Sequence, residues 1–219
     1  MKKLLLLFPL LVFAAPPLFA DDVALVSLRI AQENVVRQFA IEFAEDDAPG
    51  TVANFKKLAK KGFYKGIALH RAFAHTLVQM GDPLSRKKDR SAVGTGGPGY
   101  TLAPEIRRKH VKGAVAAARL PDKINPSRVS NGSQFYVCLK AMPELDAQYT
   151  VFGRVIWGLD TLDFISTKSV DSNDNPIERV VIRSIKVLPR EKLPGAPAPE
   201  KPGAPPPKPD KQPWWKIIG

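Results

Sequence analysis

Cysteine is nearly absent from this chain: Cys138 stands alone, so no intrachain disulfide can form and the fold must hold by packing. Histidine is almost as scarce. His70, His75 and His110 show no metal-ligand spacing, so no metal site is expected, and the three read as structural or surface groups. Acidic residues are outnumbered, 21 against 33 basic ones, for a formal charge of +12. Such a balance favours anionic partners in general. The clusters Lys56-Lys57, Lys60-Lys61, Arg86-Lys87-Lys88 and Arg107-Arg108-Lys109 nevertheless read as solvated faces, and no nucleic-acid-binding motif accompanies them. A nucleic-acid partner is therefore not expected. Long apolar runs are missing except over residues 4–20, where Pro9, Pro16 and Pro17 interrupt the run and make it a poor membrane span.

What is present begins with that same segment. Met1-Lys2-Lys3, the apolar run and a small residue before Asp21-Asp22 have the make-up of a secretory signal, here residues 1–20 with cleavage after Ala20. The expectation is an exported protein, periplasmic or extracellular, with no stable membrane span in its mature form. At the other end, residues 194–213 carry nine of the 21 prolines, with Ala, Gly and Lys between them. Residues 190–219 therefore read as a proline-rich disordered tail ending in the aromatic tip Trp214-Trp215. The remaining span, residues 22–189, is one domain's worth and long enough to bury a core. The expected state is a monomer.

Within that span, residues 23–30 and 36–43 are apolar and partly alternating, separated by Gln32-Glu33-Asn34, the pattern of a hairpin. Ala48-Pro49-Gly50-Thr51 opens a helix in which Val52, Phe55, Leu58 and Ala59 share one face, and Gly62 ends it. Residues 62–83 fit two short strands with a sharp bend between them. This places Arg71 and Gln79 in otherwise apolar strands, where each needs a partner or a ligand. Residues 94–99 match G-x-G-x-x-G, but Pro98 and Pro104 prevent a helix from starting there, so a dinucleotide site is rejected. Residues 111–119 form a small-residue strand whose alanines leave room for something to lie against it. Asn131-Gly132-Ser133 is formally a glycosylation sequon but reads better as a turn feeding the next strand. Cys138 at the end of that strand reads as a small buried hydrophobe rather than a nucleophile. Residues 149–155 give a further strand. Leu159, Leu162, Phe164 and Ile165 suggest a second helix, and residues 180–188 alternate as a last strand.

His70-Arg71, Gln79, Gly81-Asp82, Asn131-Gly132-Ser133-Gln134-Phe135-Tyr136, Leu145-Asp146 and Val151-Phe152-Gly153 follow one another in an order that resembles the cyclophilin-type peptidyl-prolyl cis-trans isomerases. The resemblance runs over roughly residues 24–188. It implies an all-β fold, a closed antiparallel eight-stranded barrel capped by two α-helices. It also implies catalysis on proline-containing polypeptides without a cofactor. By the same resemblance Arg71 is the catalytic donor, oriented with the peptide backbone by Gln79 and Gln134. Leu77, Tyr136, Leu145 and Tyr149 line a proline pocket with Thr76 at its floor, and Ala118 and Arg119 contact the residues ahead of the proline.

Four positions depart from the family's usual residues. Thr76 stands in place of Phe, Arg119 in place of Asn, Tyr136 in place of the commoner Phe and Glu144 where several members have Trp; Met80 also replaces a glycine. Two functional readings follow: an isomerase assisting the folding of exported proteins, or a weakly catalytic binding module or holdase that grips proline-containing segments.

Overall fold

In the computed structural model, residues 22–194 are described, residue 34 excepted. The segment read as a signal and the tail from residue 195 onward lie outside the described residues. The hairpin forms as β1 (Asp22–Ile30) and β2 (Val36–Phe43), paired antiparallel with Val23 opposite Glu42. Helix α1 (Pro49–Lys60) follows; Pro49 suits the first turn because a proline there forfeits no intrahelical bond. Gly62, at φ +69, turns the chain out of it.

Two short strands, β3 (Arg71–Phe73) and β4 (Leu77–Met80), come next. After a one-turn 3-10 helix at Pro83–Arg86 the chain makes β5 (Thr101–Leu102), β6 (Ala114–Ala117), β7 (Ser130–Asn131) and β8 (Phe135–Cys138). A 3-10 turn at Pro143–Leu145, β9 (Val151–Trp157), α2 (Leu159–Ser166) and β10 (Val180–Pro189) complete the order. Packing continues past β10 to Leu193, which is 6% exposed and lies with Val23, Leu25 and Ala40.

Eight strands form one antiparallel sheet in the order β10-β1-β2-β9-β6-β8-β4-β3, and β5 pairs with β7 in a small ribbon beside it. The closed barrel expected from the sequence is corrected here. The sheet curls into an open half-barrel whose edge strands, β3 and β10, do not pair with each other. The chain just before β3 lies against β10 instead, through Gly66 N to Ile182 O, Ile182 N to Ile67 O and Leu69 N to Val180 O, each at 2.8–2.9 Å.

Strand alternation divides the residues between two faces. Val78, Met80, Val115, Ala117, Phe135 and Val137 point into the curl, where Phe55 of α1 meets Tyr64, Phe135 and Phe152 at centroid distances of 5.2–5.4 Å. Their neighbours Leu77, Gln79, Ala116, Ala118, Tyr136 and Cys138 point to the other face. Helix α2 buries Leu162 and Ile165, but Phe164, expected on its apolar face, is exposed, with Arg37 4.2 Å and Lys168 4.9 Å from its ring centre. No helix among the described residues is long and apolar enough to cross a membrane.

Candidate active site

The outer face of β3, β4, β8 and β6 carries one row of register partners: Arg71 opposite Gln79, Gln79 opposite Tyr136, and Tyr136 opposite Ala116. This row is the bed of a groove of about 740 Å³. Of the residues singled out from the sequence, Arg71, Leu77, Gln79, Ala118, Arg119, Tyr136, Leu145 and Tyr149 line it. The alanines of β6 keep the bed low, as their small size suggested.

Arg71 occupies the edge strand and is 48% exposed. Its guanidinium carbon sits 4.7 Å above the Phe73 ring, and its Nε lies 3.8 Å from the Asp174 carboxylate. Phe73 lines the groove and was missed in the sequence. The signal was available, since residues two apart on a strand share a face. Opposite Arg71 the walls are apolar: Leu77, Met142, Leu145, Tyr136 and Tyr149, the two tyrosine rings nearly perpendicular with centroids 5.7 Å apart.

Three of the expected residues stand apart from that lining or have their polar atoms engaged elsewhere. Thr76 does not line the groove; it lies in the turn between β3 and β4, with its hydroxyl donating to the Ala74 carbonyl at 3.0 Å. Gln134 does not line the groove either and is 3% exposed. It accepts from Gln79 Nε2 at 3.0 Å and donates to the carbonyls of Gly94 and Gly96 at 2.9 and 2.8 Å. Neither glutamine makes a hydrogen bond to Arg71 here. Arg119 reaches the groove only as a wall: its side chain is 2% exposed and stacks 4.5 Å from the Tyr149 ring centre. Its donors go to the Gln148 and Leu120 carbonyls and the Asp122 carboxylate, which leaves little for a peptide.

Behind the groove, buried Asp82 gathers the Leu84, Gly94 and Gly96 amides. Together with Gln134 it straps the glycine loop to the sheet. A Cβ at Gly96 would run into the Asp82 carboxylate, and one at Gly81 into the Ser133 carbonyl, so the backbone approaches too closely for any other residue. Asn131 joins this strap by donating to the Gly96 carbonyl while its Oδ1 accepts from Ser133 N and Gln134 N, in keeping with a turn rather than a modification site.

The histidines separate into distinct roles. His75 is exposed beside Asp163, and His70 is buried next to Arg71, where burial holds its pKa below the ordinary value. His110 does not line the groove and is buried against Tyr136 and Tyr149, which do. Burial pushes the Cys138 thiol up to about 12, which keeps it protonated and inert. Glu144 is exposed on the 3-10 turn and does not line the groove. No cluster fit for a metal ion occurs among the described residues.

A family model described as cyclophilin type peptidyl-prolyl cis-trans isomerase/CLD matches residues 27–187. The chain belongs to the cyclophilin family. This cyclophilin is 37% identical over 150 residues to a peptidyl-prolyl cis-trans isomerase of Helicobacter pylori, covering 66% of the chain and 80% of that protein. It is 30% identical over 164 residues to an isomerase of Arabidopsis thaliana, covering 73% of the chain and 93% of the relative. Of the longer isomerase-like 2 protein of Cryptococcus neoformans, 35% identical over 151 residues, it spans a quarter.

Among solved structures, a cyclophilin of Cryptosporidium parvum superposes with a TM-score of 0.62 at 26% identity, covering 75% of this chain and 98% of that one. The same protein in the presence of the dipeptide Ala-Pro gives 0.60 at 26% identity, covering 74% and 98%. The cyclophilin described here is thus a peptidyl-prolyl cis-trans isomerase, an enzyme.

Proposed function

We propose that this cyclophilin isomerises X-Pro bonds of exported polypeptides, with Arg71 stabilising the twisted amide while proline rests in the apolar end of the groove. Rotation about the bond is slow because amide resonance sets a barrier of roughly 18–20 kcal/mol. In the twisted state the proline nitrogen regains a lone pair, and a donor held beside it favours that state. The observation that carries the reading is the half-exposed Arg71 facing a wall of Leu77, Tyr136, Leu145 and Tyr149 across one groove.

One charge-assisted hydrogen bond supplies about 1.5–3 kcal/mol. A five-decade acceleration needs about 7 kcal/mol. The balance comes from holding the peptide still in a water-poor pocket, where electrostatic interactions are also stronger. Gln79, tethered by Gln134 in register opposite Arg71, is placed to meet the peptide backbone.

Ala-Pro is a fitting probe, since the relative from Cryptosporidium parvum has been solved with it. In a protease-coupled assay on an Ala-Pro peptide, the mature chain is expected to turn over and Arg71→Ala to lose most of that activity while staying folded. Full turnover in folded Arg71→Ala would remove Arg71 from the mechanism. The export reading rests on residues 1–20. Its check is N-terminal sequencing of the protein recovered outside the cytoplasm, with Asp21 expected first and an intact Met1 counting against it.

A further inference from the structure

Among the described residues, His110 is a buried titratable side chain that the isomerase mechanism leaves without a part, yet it touches both tyrosines of the proline pocket. Its side chain is 0% exposed. Nδ1 lies 3.1 Å from the Asp146 carboxylate and Nε2 3.0 Å from the Tyr136 hydroxyl. The ring stacks on Tyr136 at 6.1 Å and meets Tyr149 edge-on at 6.2 Å. The main chain of His110 is engaged as well: its N–H donates to Asp146 at 2.7 Å, and its carbonyl accepts from Met142 N at 2.8 Å. One residue thereby ties Tyr136 on β8 to the segment that carries Met142, Leu145 and Tyr149.

We infer that His110 is a positioning residue of the active site, accepting the Tyr136 hydroxyl hydrogen and so holding that ring as a fixed wall for the substrate proline. The direction of the bond follows from the neighbours. The amide and ring hydrogen bonds from His110 keep Asp146 below its ordinary carboxylate value, so it is an ionised acceptor and draws the proton of a neutral imidazole to Nδ1. Nε2 is then a lone pair, and the Tyr136 hydroxyl, whose ionisation burial pushes well above its usual range, is the donor.

A phenylalanine in place of Tyr136 would need no such partner. A tyrosine hydroxyl buried without one is costly, and the ring would relieve the cost by turning outward into the space that proline occupies. His110 makes Tyr136 acceptable at this position and stiff. The inference rests on the isomerase reading of the groove, for which turnover by the unsubstituted protein is the separate control.

A double-mutant cycle in the full-length protein tests it, with kcat/KM on an Ala-Pro peptide and unfolding midpoints read in parallel. His110→Gln is expected to lower kcat/KM roughly tenfold, equivalent to about 1.4 kcal/mol. The same substitution made on Tyr136→Phe should cost no more than about twofold, because no hydroxyl remains to be held. Equal losses on both backgrounds, or none on the first, would overturn the inference. Should His110→Gln fail to fold, Asp146→Asn takes its place in the cycle with the same expectation. Independently of turnover, the nitrogen NMR shift of His110 Nε2 in the neutral ring is expected in the unprotonated range, and a protonated Nε2 would also overturn it.

Discussion

Gln79 donates through Nε2 to Oε1 of Gln134 at 3.0 Å, coupling the strand opposite Arg71 to a side chain that never reaches the groove. Gln134 passes the link on to Gly94 and Gly96, so the glycine loop is tied to the bed of the groove. Gln134→Leu should therefore leave the Gly94 carbonyl without its donor and the Gly96 carbonyl with Asn131 alone. A loss of about 1–3 kcal/mol in unfolding free energy is expected, together with a fall in kcat/KM. Urea unfolding and the isomerase assay check the two effects, and a loss of activity with no loss of stability would place Gln134 at the peptide instead of behind it.

Arg71→Ala separates catalysis from folding. The Arg71 to Asp174 pair is long, 3.8 Å, and both partners are well exposed, so the unfolding free energy should change by less than about 1 kcal/mol. Losing a charge-assisted bond to the twisted amide should lower kcat/KM by roughly tenfold to a hundredfold. Arg71→Lys keeps the charge without the fork and should recover only part of the loss.

Helix α1 has no side-chain cap of its own: Ala48 precedes it and no acidic residue lies in its first turn. Glu105 supplies the cap from elsewhere in the chain, accepting from Gly50 N at 2.9 Å, Thr51 N at 2.8 Å and Thr51 Oγ1 at 2.7 Å. Burial alone would raise its pKa, but the Thr51 hydroxyl and the two amides outweigh that and hold it below 4.5. A depressed folded value means that the stabilisation is present above the ordinary carboxylate range and disappears as pH falls through the folded value. Glu105→Gln should cost about 0.5–2 kcal/mol near neutral pH. The gap between the two proteins should narrow in acid, as followed by denaturant unfolding over a pH series. A constant gap would assign the loss to packing.

Cys138 lies buried beneath the proline pocket with its thiol pushed up to about 12. A chromogenic thiol reagent should leave the native protein untouched at neutral pH and label one thiol after unfolding. Labelling in the native state, at a rate unrelated to unfolding, would show that the groove opens down to β8.

Much of the architecture was legible in the chain, because it rests on local rules. Alternation in residues 23–30 and 36–43 made the hairpin, Pro49 and the spacing of Val52, Phe55 and Leu58 made α1, and period two on β4 and β8 sent Leu77, Gln79 and Tyr136 to one face. The row Arg71, Gln79, Tyr136 needed in addition the pairing of β4 with β8, strands far apart along the chain whose register no local rule specifies.

What the chain by itself left undecided depends on partners far away along it. Gln134 was assigned to Arg71 by resemblance, but its amide had closer acceptors in a glycine loop whose path nothing local specifies. Thr76 was expected at a pocket floor and instead closes a turn on Ala74, a matter of backbone direction at the bend. Whether the sheet closed was settled by residues 66–69, irregular in sequence, lying against β10. His110 looked like any isolated histidine. Its place between Asp146 and Tyr136 exists only once β6, β8 and the turn before β9 pack together, since a hydrogen bond has to meet geometry at both ends and no spacing in the sequence encodes that.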